Sequence, residues 1–373
     1  MIRIFHTGDV HLDASFYRKD AKERAAERQR QRELFKKMMK YALENKFDIV
    51  LISGDLFDGG SITPETEKCV IDAFSSLACP VVISPGNHDA FLKTPIYSQN
   101  KLPENVYVFN SAEIQIFPFE ELGAEVCGYA FMNDTYYENP LENVNLPYSD
   151  GIRILCAHAE LGVRTSAYAS ISESDVERLG VSYAALGHIH KQVDAVRRGN
   201  SVIAYCGFPE GRAFDELGEG GALSVTIDGG EVSISKLIFG ERRYYTEELS
   251  VGFVGSADDV IEKIRKYLDE NGFDEKTALR LSLTGEADAS FAFDKKEIEN
   301  AFSERLLQFE AINKLLPRID LDSLEKDRTL RGEIFRVLRP ELESENQDEK
   351  REAFAALKAA LWAIEGREPE DII

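Results

Sequence analysis

The segment "YAALGHIHKQ" (residues 183–192) joins an apolar run to two histidines that stand two residues apart, His188 and His190. The run has the length and composition of a buried strand, and Gly187 marks its end. Taken alone, the histidines are either solvated imidazoles at a strand end or two ligands of a metal ion. The choice depends on whether the rest of the chain supplies partners, because the whole sequence contains only six histidines.

Four other short apolar runs are followed directly by a short polar segment of the same kind, here called a burst. The bursts are "GDVH" (8–11), "GDLFD" (54–58), "GNHD" (86–89) and "AHAE" (157–160). Five of the six histidines lie in the five bursts. Because strand ends of an α/β sheet carry their functional side chains at one rim, we expect these groups to converge.

The residue types in the bursts are those of a metal site built from nitrogen and oxygen. Imidazole, carboxylate and amide groups suit manganese, iron or zinc. Seven such groups exceed the needs of one ion and predict two ions that share a carboxylate. Residues two apart in an extended segment face the same side, so Asp9 with His11, and His188 with His190, are expected to point inward. The candidate ligands are Asp9, His11, Asp55, Asn87, His158, His188 and His190.

Cysteine usage and hydropathy exclude other classes of site. The five cysteines are scattered and form no C-x-x-C pair, so neither a thiolate zinc site nor a disulfide framework is expected. No apolar run approaches the roughly 18 residues of a membrane helix. The N-terminal sequence "MIRIFHTGD" has no leader pattern. We therefore expect a cytoplasmic protein without membrane contact.

The charge distribution leaves the question of nucleic acid open. The net charge of −22 argues mildly against a polyanionic partner, whereas residues 17–40 carry ten Lys and Arg against four Asp and Glu. Arg24, Arg28 and Arg32 recur every four residues and can share one helix face. That face either follows a DNA backbone or is a solvated face paired with Glu23, Glu27 and Glu33.

The pattern of elements predicts a layered α/β core with packed sheets over residues 1–240. Helices are expected at about 20–45 and 64–77, and a hairpin at 222–239. Residues 241–316 are predicted to form a small α+β module, with helices at 257–270 and 295–313 around the strand-like "TALRLSLTG" (277–285). Residues 317–373 are predicted to be helical.

The order of motifs resembles the calcineurin-like metallophosphoesterases: D-x-H, G-D-x-x-D, G-N-H-D, a later histidine and G-H-x-H, over about residues 1–215. The details are similar to the SbcD/YhaO-like DNA repair exonuclease family. They are "HTGDVHLD" (6–13), a long basic helix before "DIVLISGDLFD" (48–58), and "GHIHK" (187–191). The loop "GFPEGRAFDELGEGG" (207–221) also resembles that family, which often has lysine where this chain has Glu219.

The resemblance implies a role for each ligand. One ion would be held by Asp9, His11 and His190, and the other by Asn87, His158 and His188, with Asp55 bridging the two. His88 would be the catalytic acid or electrostatic stabiliser at the phosphate. Asp89 either orients His88 or caps a turn, Asp58 stands outside the ligand set, and His6 is expected to be a core histidine.

The resemblance also implies an activity and partners. The expected enzyme is a manganese-dependent DNA exonuclease of 3′-to-5′ polarity, with endonuclease action as a further expectation. The 241–316 module would be a cap that binds DNA, and the C-terminal helices would dock on an SMC-like coiled-coil ATPase; a homodimer is a further expectation. The stripe Phe354, Leu357, Leu361 and Ile364 fits either core packing or partner docking.

Two other functions remain open from the sequence. The same core can serve a phosphodiesterase of small molecules or cyclic nucleotides. The chain can also be a non-catalytic adaptor that acts through its C-terminal helices, although the intact ligand set argues against this.

Overall fold

The computed structural model describes residues 1–16, 20–99, 101–191, 193–288, 291–318 and 320–364. The chain divides into two compact units, Met1–Tyr244 and Tyr245–Ile373. The sequence placed boundaries at 240 and 316, and the three-part division remains a prediction.

The first unit is built on two six-stranded mixed sheets. The strands of the first sheet are β1 (Ile2–Thr7), β2 (Ile49–Ile52), β3 (Val81–Ile83), β4 (Val106–Val108), β13 (Gly221–Asp228) and β14 (Glu231–Ile238). Those of the second sheet are β5 (Gln115–Phe119), β6 (Ala124–Gly128), β7 (Ile152–His158), β10 (Tyr183–Gly187), β11 (Val196–Arg198) and β12 (Ser201–Tyr205). Their orders are β14-β13-β1-β2-β3-β4 and β11-β12-β10-β7-β6-β5. Two short strands, β8 (Glu160–Leu161) and β9 (Ser170–Ile171), pair separately.

Strand β2 is apolar throughout because both of its faces are covered. In β2, Val50 and Ile52 pack against helices, whereas Ile49 and Leu51 pack between the two sheets. A strand that is buried on both faces is apolar at every position, which removes the alternation of a half-exposed strand. The predicted fold class, α/β with two packed mixed sheets flanked by helices, is confirmed.

The described part of the first unit contains four α-helices: α1 (Ala21–Glu44), α2 (Pro64–Ser75), α3 (Pro95–Ser98) and α4 (Glu173–Arg178). Helix α1 begins with a capping box in which the Asp20 side chain accepts from the Glu23 amide. Helix α2 begins at Thr63-Pro64, as the sequence predicted. The hairpin β13–β14 turns at Gly229 and Gly230, both with positive φ.

The second unit contains a three-stranded sheet and five helices in its described part. The strands are β15 (Arg243–Val254), β16 (Thr277–Ala287) and β17 (Gln308–Pro317), and the helices are α5 (Ala257–Asn271), α6 (Lys295–Asn300), α7 (Leu321–Lys326), α8 (Leu330–Leu342) and α9 (Gln347–Ile364). Leu357 and Leu361 of the predicted stripe are buried in a helical core, with Phe354 partly buried beside them. Ile364 is 40% exposed.

The helix predicted at 295–313 is wrong beyond Asn300. Helix α6 ends at Asn300, and residues from Gln308 onward pair in parallel with β16. Phe302, Leu306 and Phe309 are spaced as on one helix face, but all three are buried in the core beneath the sheet. The spacing is therefore satisfied by a turn and a strand in succession, and the sheet contacts override local helix propensity.

No helix within the described ranges has both the length and the apolar character required to cross a membrane.

Candidate metal centre

The ligand candidates lie where five strands end. Asp9 and His11 follow β1, Asp55 follows β2, Asn87 follows β3, and the remaining three lie at the ends of β7 and β10. The loops that follow β1 and β2 continue the pairing of these strands: the His11 amide donates to the Asp55 carbonyl at 2.9 Å. The convergence expected from the strand ends is therefore present.

The backbone at these ligands is not extended, contrary to the expectation from residue spacing. Asp9, His11, Asp55 and His188 all have positive φ, between 49° and 96°. Asp and His are among the non-glycine residues that adopt this region most readily. Tight left-handed turns, and not strand alternation, direct these side chains.

Two glycines allow the loops to approach closely. A Cβ on Gly54, where φ is +95°, would lie 2.3 Å from His158 Nδ1. A Cβ on Gly86 would lie 2.2 Å from Asp55 Oδ1. The absence of a side chain at these two glycines is therefore what allows the loops to pack closely at the site.

The candidate ligands form two adjoining groups. In the first, His190 Nε2 lies 3.4 Å from Asp9 Oδ1 and 3.2 Å from His11 Nε2. In the second, His158 Nε2 lies 3.0 Å from Asn87 Oδ1. The ring of His188 packs edge-on against that of His158, with 5.0 Å between centroids.

Asp55 lies between the two groups. Its Oδ2 atom is 3.7 Å from His11 Nε2 and 3.4 Å from His158 Nε2. Its other oxygen accepts from the His88 amide at 2.9 Å. One carboxylate oxygen is thus within reach of ligands of both groups, which is the placement that a bridging ligand requires.

Each histidine of the two groups has a second ring nitrogen near an oxygen. His11 Nδ1 lies 3.1 Å from Asp58 Oδ1, and His158 Nδ1 lies 2.9 Å from the Ser53 carbonyl. The other two acceptors are glutamates, Glu160 for His188 and Glu216 for His190. Sequence reasoning missed both glutamates. Glu160 could have been found from its position two residues after His158, whereas Glu216 lies in the 207–221 loop without a ligand motif beside it.

His88 is paired with Asp58. His88 Nδ1 lies 3.0 Å from Asp58 Oδ1, and its side chain is 47% exposed. Asp89 makes no such contact: it accepts from the amides of Gly86 and Leu56 at 2.7 and 2.8 Å and from the Tyr97 hydroxyl. Of the two roles left open for Asp89, the turn cap is the one the contacts support.

The electrostatics of the centre fit a divalent cation. Burial raises the pKa of Asp55 well above its usual value, and the nearby Asp89 and Asp9 carboxylates raise it further. Burial opposes charge on His190, yet hydrogen bonds with Asp9 and Glu216 raise its pKa to about 10. A buried group of acids that holds a proton so strongly favours positive charge at this position, which a metal ion supplies when it replaces the proton.

The remaining ligand histidines have the protonation that metal binding needs. Burial lowers the pKa of His11 to about 4, against the opposing effect of Asp58. Burial and the neighbouring His158 lower the pKa of His188 to about 4. Both rings are therefore neutral near pH 7 and have a lone pair to donate.

His6 is a core residue, as expected. It is fully buried, with its ring nitrogens 2.7 Å from the Tyr183 hydroxyl and 3.0 Å from Ser53 Oγ. Burial lowers its pKa to about 3, so the ring is neutral. It joins the first sheet to the second beneath the metal centre.

Helix α1 supports the first loop of the site. Gln31 donates to the His11 carbonyl at 2.8 Å, and Arg28 donates to the Ala14 carbonyl at 3.3 Å. Arg32 is only 13% exposed and lies 3.7 Å from Asp13. Two of the three arginines predicted to form a DNA-binding or solvated face therefore bind the protein itself.

Comparison with known proteins gives consistent relatives. A family model described as calcineurin-like phosphoesterase matches residues 2–192. The Bacillus subtilis protein named uncharacterized metallophosphoesterase YhaO is 26% identical over 62% of this chain and 59% of its own length. The Aeropyrum pernix DNA double-strand break repair protein Mre11 is 26% identical over 72% of this chain and 68% of its own. A subunit of the Escherichia coli nuclease SbcCD is 23% identical over 58% of this chain and 63% of its own length.

The match to the B. subtilis relative thus spans about three fifths of that protein. The family model covers more than half of the present chain, including every ligand candidate from Asp9 to His190. The predicted resemblance is confirmed: this chain belongs to the calcineurin-like phosphoesterase family.

Proposed function

We propose that this protein hydrolyses phosphodiester bonds in DNA with two manganese ions, as a 3′-to-5′ exonuclease with endonuclease action, in DNA repair. Phosphoester hydrolysis with divalent metals is the chemistry of its family. The observation that carries the proposal is the position of Asp55 between two groups of ligands. DNA is supported as substrate by two relatives, one named a DNA repair protein and one belonging to a nuclease.

The family resemblance and the two groups of side chains support an assignment to two ions. Asp9, His11 and His190 would hold one ion, Asn87, His158 and His188 would hold the other, and Asp55 would be shared. When bound, such a pair of ions offsets the charge of the phosphate and makes hydroxide available from water near neutral pH.

His88 acts as the acid at the leaving oxygen. Its hydrogen bond with Asp58 raises its pKa above the ordinary value, which favours the protonated ring that an acid needs. With Nδ1 held by Asp58, Nε2 is left to donate to the leaving group, and the half-exposed side chain can reach a bound phosphodiester. Such acid catalysis contributes roughly 10²–10⁴-fold to the rate.

A direct assay tests the proposal. End-labelled linear duplex DNA, plasmid DNA, bis-p-nitrophenyl phosphate and cyclic nucleotides are incubated with the metal-free protein and with added Mn²⁺, Mg²⁺ or Zn²⁺. We expect manganese-dependent release of nucleotides from 3′ ends. Asp55→Ala should abolish metal binding and activity, and His88→Ala should retain metal but lose roughly 10²-fold or more in turnover.

Each rival function has its own outcome. Hydrolysis of the small phosphodiesters without DNA degradation would replace the nuclease with a small-molecule phosphodiesterase. Failure to bind any metal, measured by elemental analysis after incubation with Mn²⁺, would favour a non-catalytic adaptor.

The partner is a separate part of the proposal: the C-terminal helices bind an SMC-like coiled-coil ATPase. The name of the E. coli relative, which is one component of SbcCD, supports an assembly. Because Leu357 and Leu361 are buried within the helical core, the docking surface must use other side chains of these helices. Co-purification of the full chain with such an ATPase tests this, and charge substitutions at exposed Val337 and Leu330 should weaken it.

A further inference from the structure

We infer that two glutamates act as positioning residues for the two ions separately: Glu216 through His190, and Glu160 through His188. The inference rests on the proposed metal centre and adds to it two residues that contact neither ion. Each glutamate holds one histidine of the "GHIH" segment from the side opposite to the ions.

Contacts other than the one with His190 already hold the Glu216 carboxylate in position. The residue is 2% exposed, and its Oε2 accepts from the Arg212 amide at 2.8 Å. The Arg212 guanidinium binds both carboxylate oxygens, with Nε 3.1 Å from each. Oε1 then lies 2.9 Å from His190 Nδ1. With Nδ1 engaged, His190 presents Nε2 toward Asp9 and His11.

Glu160 holds His188 through the other ring nitrogen. Its Oε1 lies 3.3 Å from His188 Nε2, so Nδ1 is the nitrogen left for an ion. The Tyr168 ring lies 4.7 Å from the His188 ring, centroid to centroid, at an angle of 37°. The ring is thus held by a hydrogen bond at one edge and by an aromatic face beside it.

The two histidines therefore use opposite nitrogens. Residues 188 and 190 are neighbours in sequence, yet their outer partners come from different elements, β8 and the loop after β12. A carboxylate behind an imidazole ligand fixes the ring's tautomer and orientation and makes the ligand more basic. Because each glutamate contacts only one of the two histidines, each should influence only one of the two ions.

The experiment uses the isosteric variants Glu216→Gln and Glu160→Gln of the full chain, stripped of metal. Equilibrium dialysis against Mn²⁺ measures the number of bound ions, and electron paramagnetic resonance distinguishes an isolated ion from a coupled pair. We expect two coupled ions in the parent protein. Each variant should keep one ion tightly and bind the other about 10–100-fold more weakly, with loss of the coupled signal.

Combining each glutamine variant with Asn87→Ala identifies which ion it affects. Asn87→Ala removes a ligand of the ion assigned to His158 and His188. On this background Glu216→Gln should weaken the remaining ion about 10–100-fold, whereas Glu160→Gln should have no further effect. The reverse pattern, or equal effects, would overturn the assignment of one glutamate to each ion.

Glu210→Gln is the matched control in the loop that carries Glu216. Glu210 accepts from Arg30 and from the amides of Glu241 and Arg242, with no histidine among its partners in the described structure. It should bind manganese like the parent. If it weakens binding as much as Glu216→Gln, loop packing explains the result and the inference is wrong.

The outcomes separate the inference from the proposed function. A parent protein that binds no manganese contradicts the metal centre itself. A parent that binds two ions, with both glutamine variants unchanged, contradicts only the positioning roles. Thermal melting of the metal-free variants checks folding, and Glu160→Gln, which is independent of Arg212, carries the test if Glu216→Gln does not fold.

Discussion

Asp58 contacts two histidines to which different tasks are assigned. Its Oδ1 lies 3.1 Å from His11 Nδ1 and 3.0 Å from His88 Nδ1. Burial alone raises the pKa of Asp58, but these hydrogen bonds hold it below its ordinary value. A single carboxylate thus orients a proposed metal ligand and the proposed acid together.

Asp58→Asn is therefore expected to impair both tasks. Through His11 it should weaken manganese binding about 10–100-fold, and through His88 it should lower turnover at saturating metal by roughly 10²-fold or more. Dialysis and single-turnover kinetics measure the two effects. His88→Ala, as comparison, should lower turnover only. An Asp58→Asn protein with unchanged manganese affinity would show that Asp58 serves His88 alone.

At the residue scale, the sequence predicted the ligand candidates but not the contacts that position them. Aspartate and histidine directly after apolar runs were visible because strand ends carry functional groups. The positive φ of Asp9 and His188 was not visible, because it depends on pairing with other loops. Glu216 was missed because it reaches His190 only through the fold of a loop 26 residues further along the chain.

Helix α1 is the element whose role changed most between sequence and structure. A basic helix beside a proposed nuclease site suggests contact with phosphates. However, Arg32 donates to Thr66 at 3.2 Å and to Gln29 at 2.8 Å, besides its ion pair with Asp13. These contacts join α1 to α2 and to the loop after β1, so the arginine supports the site from behind.

Arg32→Met should consequently lower stability without changing how DNA is bound. We expect a loss of about 1 kcal/mol in the free energy of unfolding, since a partly buried ion pair and hydrogen bonds are removed. The salt dependence of DNA binding, measured by fluorescence anisotropy, should keep its slope. Lys36→Met, exposed one turn further along, should leave stability unchanged. A slope reduced by about one phosphate contact in Arg32→Met would restore the DNA-binding role.

Helix α4 provides a prediction about pH. Asp175 is buried, which by itself raises its pKa, but hydrogen bonds from Ser172, Asn139 and Arg178 lower it below the ordinary 3.8. A lowered pKa means that the folded state favours the carboxylate. Its stabilisation is complete above about pH 4 and is lost as the pH falls through the folded-state value.

Asp175→Asn should therefore destabilise the protein by about 1 kcal/mol at pH 7, and the difference should shrink steadily below pH 4. Urea unfolding of both proteins at several pH values measures it. Glu173→Gln, in the first turn of the same helix, serves as control and should have little effect. A difference that persists at low pH would mean that shape, and not charge, explains the loss.

At the scale of the whole molecule, the centre belongs to one of two units. All seven ligand candidates lie within Met1–Tyr244. Manganese should stabilise this unit by about 2.7 kcal/mol per site at a concentration 100 times the dissociation constant. Hydrogen exchange with mass spectrometry should show slower exchange in peptides of the first unit and little change beyond Tyr245. Asp55→Ala should abolish the response, and equal protection of both units would contradict it.

The layered architecture was predictable because the buried strands of the first unit are short and apolar and are followed by the polar segments described above. The topology was not. Nothing local in β13 indicates that it pairs with β1, since the register Ile2 to Ile227 joins the two ends of the unit. Strand β17 was not predicted for the same reason, because helix α6 separates it in sequence from its partner β16.

The pairing of β1 with β13 has a consequence for synthesis on the ribosome. The chain is synthesised from its N-terminus. More than two hundred residues must therefore be added after β1 before its pairing partner β13 exists. His188 and His190 also emerge late, well after Asp9 and His11. A nascent chain therefore passes through a long stage with exposed sheet edges and an incomplete set of candidate ligands. The proposed ions would stabilise the fold only near the end of translation of the first unit.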